Sequence, residues 1–247
     1  MSAGAPSTTS PRSVPPQVPY AIACPTPEEA RTEATHGTGG PTISLVGPAG
    51  YRAAAFAIGA GLLALSWLAL GERDVVPRWE ADTFEAINGL PDWLRWPLWT
   101  PMQLGTLWMC LVGPTLVYAA TRRMRPALAT AAGVLLAWGA AKAVKSLVDR
   151  GRPADLLGGV DVRQADIHSA GYVSGHAAVA FALAAMVAPL FPSGWRWVAF
   201  GLATVVGFAR VYYGVHLPLD VIGGAGLGLL CGVVASLAAG PIAVGRR

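Results

Sequence analysis

Polar and apolar positions divide the chain into a polar first fifth and a largely apolar remainder. Residues 1–50 hold nine of the 20 prolines, together with many Ser, Thr and Gly residues, and they show no sustained helical or strand period. Such a segment buries too little apolar surface to offset the entropy lost on ordering it. We therefore expect residues 1–50 to form a disordered tail.

Six apolar stretches follow this segment. Each can cover most of the hydrocarbon core of a bilayer, since a helix rises about 1.5 Å per residue. They run over residues 53–70, 98–120, 127–148, 172–190, 197–213 and 217–239. The pattern predicts an all-α protein, in which residues 51–240 form an integral membrane bundle of six transmembrane helices and residues 241–247 form a short basic tail.

The last apolar stretch carries a glycine at every fourth position, namely Gly224, Gly228 and Gly232. Small residues at this spacing line one face of a helix and let a neighbouring helix approach closely. We expect the partner to be another helix of the same chain, although the spacing also suits a dimer, so the oligomeric state stays open.

Composition supports a membrane protein and argues against two other classes, namely nucleic-acid-binding proteins and proteins stabilised by disulfides or zinc. Charged residues make up 13% of the chain, whereas soluble domains contain about 25%. The net charge of +4 is spread along the sequence rather than gathered in a basic stripe, so no nucleic-acid partner is expected. Cys24, Cys110 and Cys231 are far apart, which fits neither a disulfide framework nor a zinc site. We expect no metal and no cofactor.

The loops predict an orientation. With six spans, the connections near Arg122 and Arg196 lie on the same side as both termini, and these connections contain no acidic residue. Lys and Arg divide nine to nine between the two sides, and the count becomes nine to six when Lys145, Arg152 and Arg210 are set aside for a chemical role. The positive-inside rule then places the termini in the cytoplasm.

The first charged cluster runs from Lys145 to Arg152 at the end of the third stretch. Charges at this depth are costly and indicate function by default. A basic helix end on its own, however, is more often an anchor whose cations reach the membrane surface.

A second cluster, Ser174-Gly175-His176, begins the fourth stretch. The free N–H groups and the dipole of a helix start favour anions, and a plain Ser cap is an equally good explanation of this turn.

The third cluster joins the fifth and sixth stretches and contains Arg210, His216, Pro218 and Asp220. Pro218 suits the first turn of a helix, so His216 and Asp220 should lie four residues apart on one helical face, within contact distance. A carboxylate bound to one imidazole nitrogen fixes the tautomer and leaves the other nitrogen as a nucleophile or base.

All three clusters fall on one face of the predicted membrane bundle. They bring together two histidines, three cations and a turn of backbone donors, with no clear set of metal ligands. Arg binds phosphoryl oxygens through two hydrogen bonds and Lys adds a point charge. The convergence therefore favours phosphate chemistry.

These residues resemble the three-part signature of the type 2 phosphatidic acid phosphatase superfamily. The signature reads K-x-x-x-x-x-x-R-P, then P-S-G-H, then S-R-x-x-x-x-x-H-x-x-x-D, and the internal spacings of all three parts match. Two positions depart, because Val173 replaces the Pro and Ala209 replaces the Ser. The second change removes a hydroxyl that could bind a phosphoryl oxygen, but neither change removes a group that makes or breaks a bond.

The resemblance implies a metal-independent phosphatase that acts through a phosphohistidine. It assigns His216 as the nucleophile, Asp220 as the residue that orients it, and His176 as the proton donor. The phosphate-binding groups would be Lys145, Arg152, Arg210 and the backbone N–H groups at Ser174 and Gly175. The expected substrate is a membrane lipid: a polyprenyl diphosphate such as undecaprenyl diphosphate first, then phosphatidic acid or phosphatidylglycerol phosphate. The predicted orientation places the site on the outer face of the plasma membrane.

Two alternatives stay open at this point, and a third is disfavoured. A multi-pass transport or binding protein could use the cations to hold an anionic lipid without turnover, although the two histidines and Asp220 would then be superfluous. An inactive scaffold is permitted by Ala209. A soluble haloperoxidase with the same anion pocket conflicts with the six apolar stretches.

Overall fold

The computed structural model describes residues 48–72, 74–164, 169–191 and 194–239, together with Met1. These residues form α-helices joined by turns and loops and contain no β-strand, so the predicted all-α class is confirmed. The helices are α1 (Pro48–Ala69), α2 (Arg78–Asn88), α3 (Arg95–Met102), α4 (Met109–Thr121), α5 (Met124–Val148), α6 (Pro153–Leu156), α7 (Gly175–Val187), α8 (Arg196–Tyr212) and α9 (Pro218–Ala239).

The chain divides into two units, Met1–Leu45 and Val46–Arg247. Apart from Met1 and residues 48–50, where α1 begins, the predicted tail over 1–50 lies outside the described residues, as does the tail over 241–247. Both tails stay predictions.

Three helical stretches are long and apolar enough to cross a membrane, namely Ala49–Ala69, Met124–Leu156 and Pro218–Ala238. A fourth span results if Asp92–Gly105 and Met109–Thr121, which meet at 77°, are taken as one broken span. The predicted count of six spans is not confirmed, because the described residues supply three such spans, or four with the bent pair.

Two of the predicted spans differ because the backbone leaves the helix inside them. The stretch 98–120 bends after a 3₁₀ turn at Gln103–Gly105, where a side chain on Gly105 would lie 2.7 Å from the His176 carbonyl oxygen. The stretch 172–190 becomes helical only at Gly175, so its apolar helix, Gly175–Leu190, is short. Mean hydropathy registers apolar length but not the residue at which a helix begins.

Helix α9 is central and packs against α1, α5 and α7. A Cβ atom on Gly228 would lie 2.2 Å from the Ala178 carbonyl oxygen, and one on Gly224 would lie 2.5 Å from the Ser174 carbonyl oxygen. Only glycine permits this approach, since real Cβ atoms do not come so near to backbone. The prediction that the glycine face packs against a helix of the same chain is therefore confirmed.

The segment that contains α2 and α3 is hydrogen-bonded to the last residues of α8 and to Tyr213, which follows it. The Tyr212 hydroxyl donates to the Pro91 carbonyl oxygen over 3.0 Å, and the Tyr213 hydroxyl donates to the Arg95 carbonyl oxygen over 2.7 Å. Asn88, the last residue of α2, donates to the Tyr212 carbonyl oxygen over 3.0 Å. These contacts bring α2 to the end of the bundle at which the charged clusters meet.

Candidate active site

His216 and Asp220 are in contact at the start of α9. The His216 Nδ1 atom lies 3.3 Å from Oδ2 of Asp220, and that oxygen also accepts the Leu217 N–H over 2.9 Å. Pro218 begins the helix, so His216 precedes α9 rather than sharing its face as predicted. The contact forms because the Asp220 side chain in the first turn folds back over the helix start.

The second oxygen of Asp220 binds Arg150. The Arg150 Nη1 atom donates to Oδ1 of Asp220 over 3.0 Å, while Nη2 donates to Oε2 of Glu80 over 2.7 Å. Arg150 reaches this position because α5 ends at Val148 and the next residue, Asp149, turns the chain with a φ of 48°. Glu80, Arg150 and Asp220 each have a fully buried side chain.

Sequence reasoning missed Glu80 and did not assign a role to Arg150. The spacing of Glu80 along α2 could have indicated that it is buried. Glu80, Phe84 and Asn88 lie four residues apart and form the buried face of this helix. A glutamate in line with a buried phenylalanine is unusual, since Glu is almost never fully buried without a partner.

The three predicted phosphate-binding cations lie around this pair. Lys145 donates to the carbonyl oxygens of Ala170 and Gly171. Arg152 donates to the Val215 carbonyl oxygen over 2.6 Å and so contacts the residue directly before His216.

Arg210 is 2% exposed, and its Nη1 atom donates to Oε1 of Gln164 over 2.5 Å. Within the part of the chain that the structure describes, the buried Nε of Arg210 has no hydrogen-bond partner.

Each of these cations is bound by neutral acceptors. Among the described residues, the ion pairs belong to Arg150, Arg163 and His216, and none involves Lys145, Arg152 or Arg210. Three cations at one place without a carboxylate partner create a strong positive potential. The arrangement is suited to an anion with several oxygen atoms, which would replace the neutral acceptors.

The Ser174-Gly175-His176 turn begins α7 beside Asp220. The Ser174 N–H donates to the Asp220 carbonyl oxygen over 2.8 Å, so this N–H already has a partner. The Ser174 side chain caps the helix by accepting the Ala177 N–H. The N–H groups of Gly175 and His176 lie in the first turn, where a helix supplies no internal acceptor, and they are the donors that this turn offers to an anion.

The environment of His216, in the loop between α8 and α9, lowers the pKa of its imidazole well below the usual 6.5. Burial is the main cause, and the charges of Lys145, Arg210 and Arg152 add to it. The neutral ring is thereby favoured at physiological pH, and with the proton on Nδ1 facing Asp220 the Nε2 atom retains its lone pair.

Comparison with known families decides the relationship. Residues 122–241, which include every member of the three clusters, match the model of the PAP2 superfamily. Residues 122–241 of the chain belong to the PAP2 superfamily. No curated protein matches it significantly.

Two solved structures resemble this chain. The crystal structure of LpxE from Aquifex aeolicus is 26% identical with a TM-score of 0.57, covering 64% of this chain and 94% of that chain. A PAP2 type phosphatidylglycerolphosphate phosphatase from Bacillus subtilis is 22% identical with a TM-score of 0.51, covering 75% of this chain and 94% of that chain. The second likeness, at this identity, shows a shared fold.

The two departures from the PAP2 signature are both buried. Val173 belongs to the core cluster that includes Tyr172 and Ala178, and Ala209 packs in an apolar cluster with Leu98 and Met102. The methyl group of Ala209 therefore contributes to packing between α3 and α8.

Proposed function

We propose that this PAP2 protein is a metal-independent membrane lipid phosphatase that hydrolyses a phosphate monoester or diphosphate through a phosphohistidine at His216. The observation that carries the proposal is the juxtaposition of two features. One is a buried histidine whose Nδ1 faces a carboxylate at 3.3 Å, and the other is a set of three cations whose charged side chains donate to neutral acceptors among the described residues.

In the first step, Nε2 of His216 attacks the terminal phosphorus and forms the P–N bond while the bond from that phosphorus to the leaving oxygen breaks. The leaving group is the lipid alcohol from a monoester and the lipid monophosphate from a diphosphate. The Nδ1 proton stays between His216 and Asp220, whose negative charge stabilises the developing imidazolium. His176 donates a proton to the departing oxygen, a contribution of about 10²–10⁴-fold in general acid catalysis.

In the second step, His176 removes a proton from water, whose oxygen attacks phosphorus as the P–N bond breaks. Inorganic phosphate leaves and His216 returns to its neutral form. Lys145, Arg152 and Arg210 stabilise the charge on the equatorial oxygens in both steps, which is the main requirement of phosphoryl transfer. These fixed cations perform the neutralisation for which other phosphatases use metal ions.

The substrate that we propose first is a polyprenyl diphosphate such as undecaprenyl diphosphate, followed by phosphatidic acid and phosphatidylglycerol phosphate. The lipid tail would remain in the bilayer while the phosphate enters at the end of the bundle where α5, α7, α8 and α9 meet. The similar structure from Bacillus subtilis is a phosphatase of one such lipid, which supports a lipid substrate. With six spans, the positive-inside rule supports cytoplasmic termini and an outward-facing site, and we place the protein in the plasma membrane.

The experiment is a phosphate-release assay on the full chain in detergent, with each of the three lipids and with EDTA present. We expect turnover that EDTA does not affect, that vanadate inhibits and that His216→Ala abolishes. Undiminished turnover in His216→Ala would contradict the mechanism. Absence of turnover with every lipid, while inorganic phosphate still binds, would favour a binding or transport function over catalysis.

A further inference from the structure

Asp220 also contacts a buried ion-pair network, formed with Arg150 and Glu80, to which the proposed mechanism assigns no step. Arg150 bridges two carboxylates: its Nη1 atom contacts Oδ1 of Asp220 at 3.0 Å and Oε1 of Glu80 at 3.3 Å, and its Nη2 atom contacts Oε2 of Glu80 at 2.7 Å. The order of contacts is Glu80, Arg150, Asp220, His216.

Arg150 differs from Arg152, although only Gly151 separates them. Both terminal nitrogens of Arg150 are occupied by carboxylates, whereas Arg152 donates to neutral oxygens of Ser169 and Val215. A phosphate could replace the partners of Arg152 but would have to expel two carboxylates from Arg150. Arg150 is therefore not a fourth phosphate-binding cation.

Glu80 has two contacts that act on Asp220. Its Oε1 atom accepts the Leu219 N–H over 2.9 Å, so Glu80 also binds the first turn of α9 directly beside Asp220. Helix α2 thus reaches the nucleophile in two ways: through the guanidinium group of Arg150 and through the backbone of α9.

These contacts fix the orientation of the Asp220 carboxylate. Oδ1 is bound by Arg150, and Oδ2 is bound by the Leu217 N–H and by His216. Rotation of the carboxylate would break contacts at both oxygens. Burying three charges is costly, and apolar residues often replace such groups without loss of stability, so a role in orienting Asp220 accounts for them better than stability does.

We propose that Glu80 and Arg150 are positioning residues for the phosphatase reaction. They hold the Asp220 carboxylate in place so that the His216 ring keeps its proton on Nδ1 and directs Nε2 at phosphorus. The proposal rests on the proposed function of the same site, and one of its tests reads out the site without catalysis.

The first test compares Glu80→Gln and Arg150→Lys with the wild-type chain. Glu80→Gln keeps an oxygen for the Leu219 N–H but removes the negative charge, which leaves Arg150 to draw the Asp220 carboxylate away from His216. We expect kcat to fall by about 10- to 100-fold, by analogy with the loss of an outer-shell partner that orients a metal-binding histidine. We expect KM and the inhibition constant of inorganic phosphate to stay within about twofold, because the three phosphate-binding cations are untouched.

Glu85→Gln is the matched control. Glu85 is on the same helix, and its side chain is exposed. It should leave kcat and KM unchanged. A wild-type kcat in Glu80→Gln, or a fall in kcat matched by equal weakening of phosphate binding, would overturn the proposal.

A double-mutant cycle separates positioning from general support of the fold. If Glu80 acts only through Asp220, then Glu80→Gln costs nothing further in an Asp220→Asn background. An equal loss in both backgrounds would show that Glu80 acts independently of Asp220. If Glu80→Gln does not yield a folded chain, as judged by its thermal unfolding, Arg150→Lys takes its place in the cycle.

Nitrogen NMR of the histidine-labelled chain tests the same point without turnover. The chain has four histidines, and the His216 signals are identified by their loss in His216→Ala. We expect a single Nδ1-protonated tautomer in the wild type and a mixture in Glu80→Gln and Arg150→Lys. An unchanged tautomer in both variants would overturn the positioning role even if no lipid were hydrolysed, whereas an inactive wild type with the expected tautomers would contradict only the proposed function.

Discussion

The Asp220 carboxylate contacts the His216 imidazole from within the first turn of α9, with Oδ2 placed 3.3 Å from Nδ1. Asp220→Asn replaces this oxygen with an amide that can donate a hydrogen bond and so stabilise the wrong tautomer. We expect kcat to fall by as much as about 10⁴-fold, as when an aspartate that orients a catalytic histidine is changed to asparagine, with KM little altered. Steady-state phosphate release measures both constants, and a kcat within tenfold of wild type would contradict the role of Asp220.

His176 is expected to matter less as the leaving group improves. We predict that His176→Ala lowers turnover of a lipid phosphate monoester such as phosphatidic acid by about 10²–10⁴-fold, because an alkoxide leaves slowly without a proton donor. The rate of the first step should fall much less with 4-nitrophenyl phosphate, because its leaving group needs no protonation. A burst of nitrophenol should therefore precede slow hydrolysis of the phosphohistidine. Equal losses on both substrates, without a burst, would exclude His176 as the acid.

Lys145 and Lys142 form a matched pair on α5. Lys145 binds backbone carbonyl groups beside the site, whereas the Lys142 ammonium lies 4.1 Å from the centre of the Trp138 ring. We expect Lys145→Met to raise the inhibition constant of inorganic phosphate by about tenfold or more, since hydrogen bonds to charged groups contribute about 1.5–3 kcal/mol. Lys142→Met should change it by less than about twofold, and equal effects of the two variants would show that Lys145 is not a specific phosphate ligand.

The close approach of α9 to α7 predicts a large cost for one added methyl group. Gly228→Ala would place a Cβ atom 2.2 Å from a backbone oxygen of α7, which forces the helices apart and should lower the free energy of unfolding by about 1–3 kcal/mol or more. Gly139→Ala is the control, because its Cβ atom would meet nothing within 4 Å and should stabilise α5 by about 0.5–1 kcal/mol. Thermal unfolding in detergent compares the two, and a Gly228→Ala chain as stable as wild type would contradict the packing.

The signature residues could be predicted from the sequence because their chemistry depends on local spacing. Asp220 follows His216 by four residues, and the Ser174 cap lies at the start of an apolar helix. Each cluster can therefore be recognised from a few neighbouring residues. The positions of the helix ends then bring the clusters together, as the contact between Arg152 and Val215 shows.

The Glu80–Arg150 contact could not be predicted in the same way, because 70 residues separate its two members. A glutamate in a polar connection is normally exposed, and only the position of α2 against α8 and α9 makes Glu80 a buried partner. The six-span count is not confirmed for a related reason. Backbone breaks near Gly105 and before Gly175 depend on contacts between helices, and these are invisible to a hydropathy average.

The central claim is that the phosphoryl group is transferred to His216, and trapping that intermediate tests it most directly. The wild-type chain, offered a lipid phosphate carrying ³²P, would be quenched in alkaline detergent during turnover, since a phosphohistidine survives alkali and is lost in acid. We predict ³²P on the wild-type protein that acid releases, and none on His216→Ala. Steady turnover with no label on the wild type at any quench time, or label retained by His216→Ala, would contradict the account.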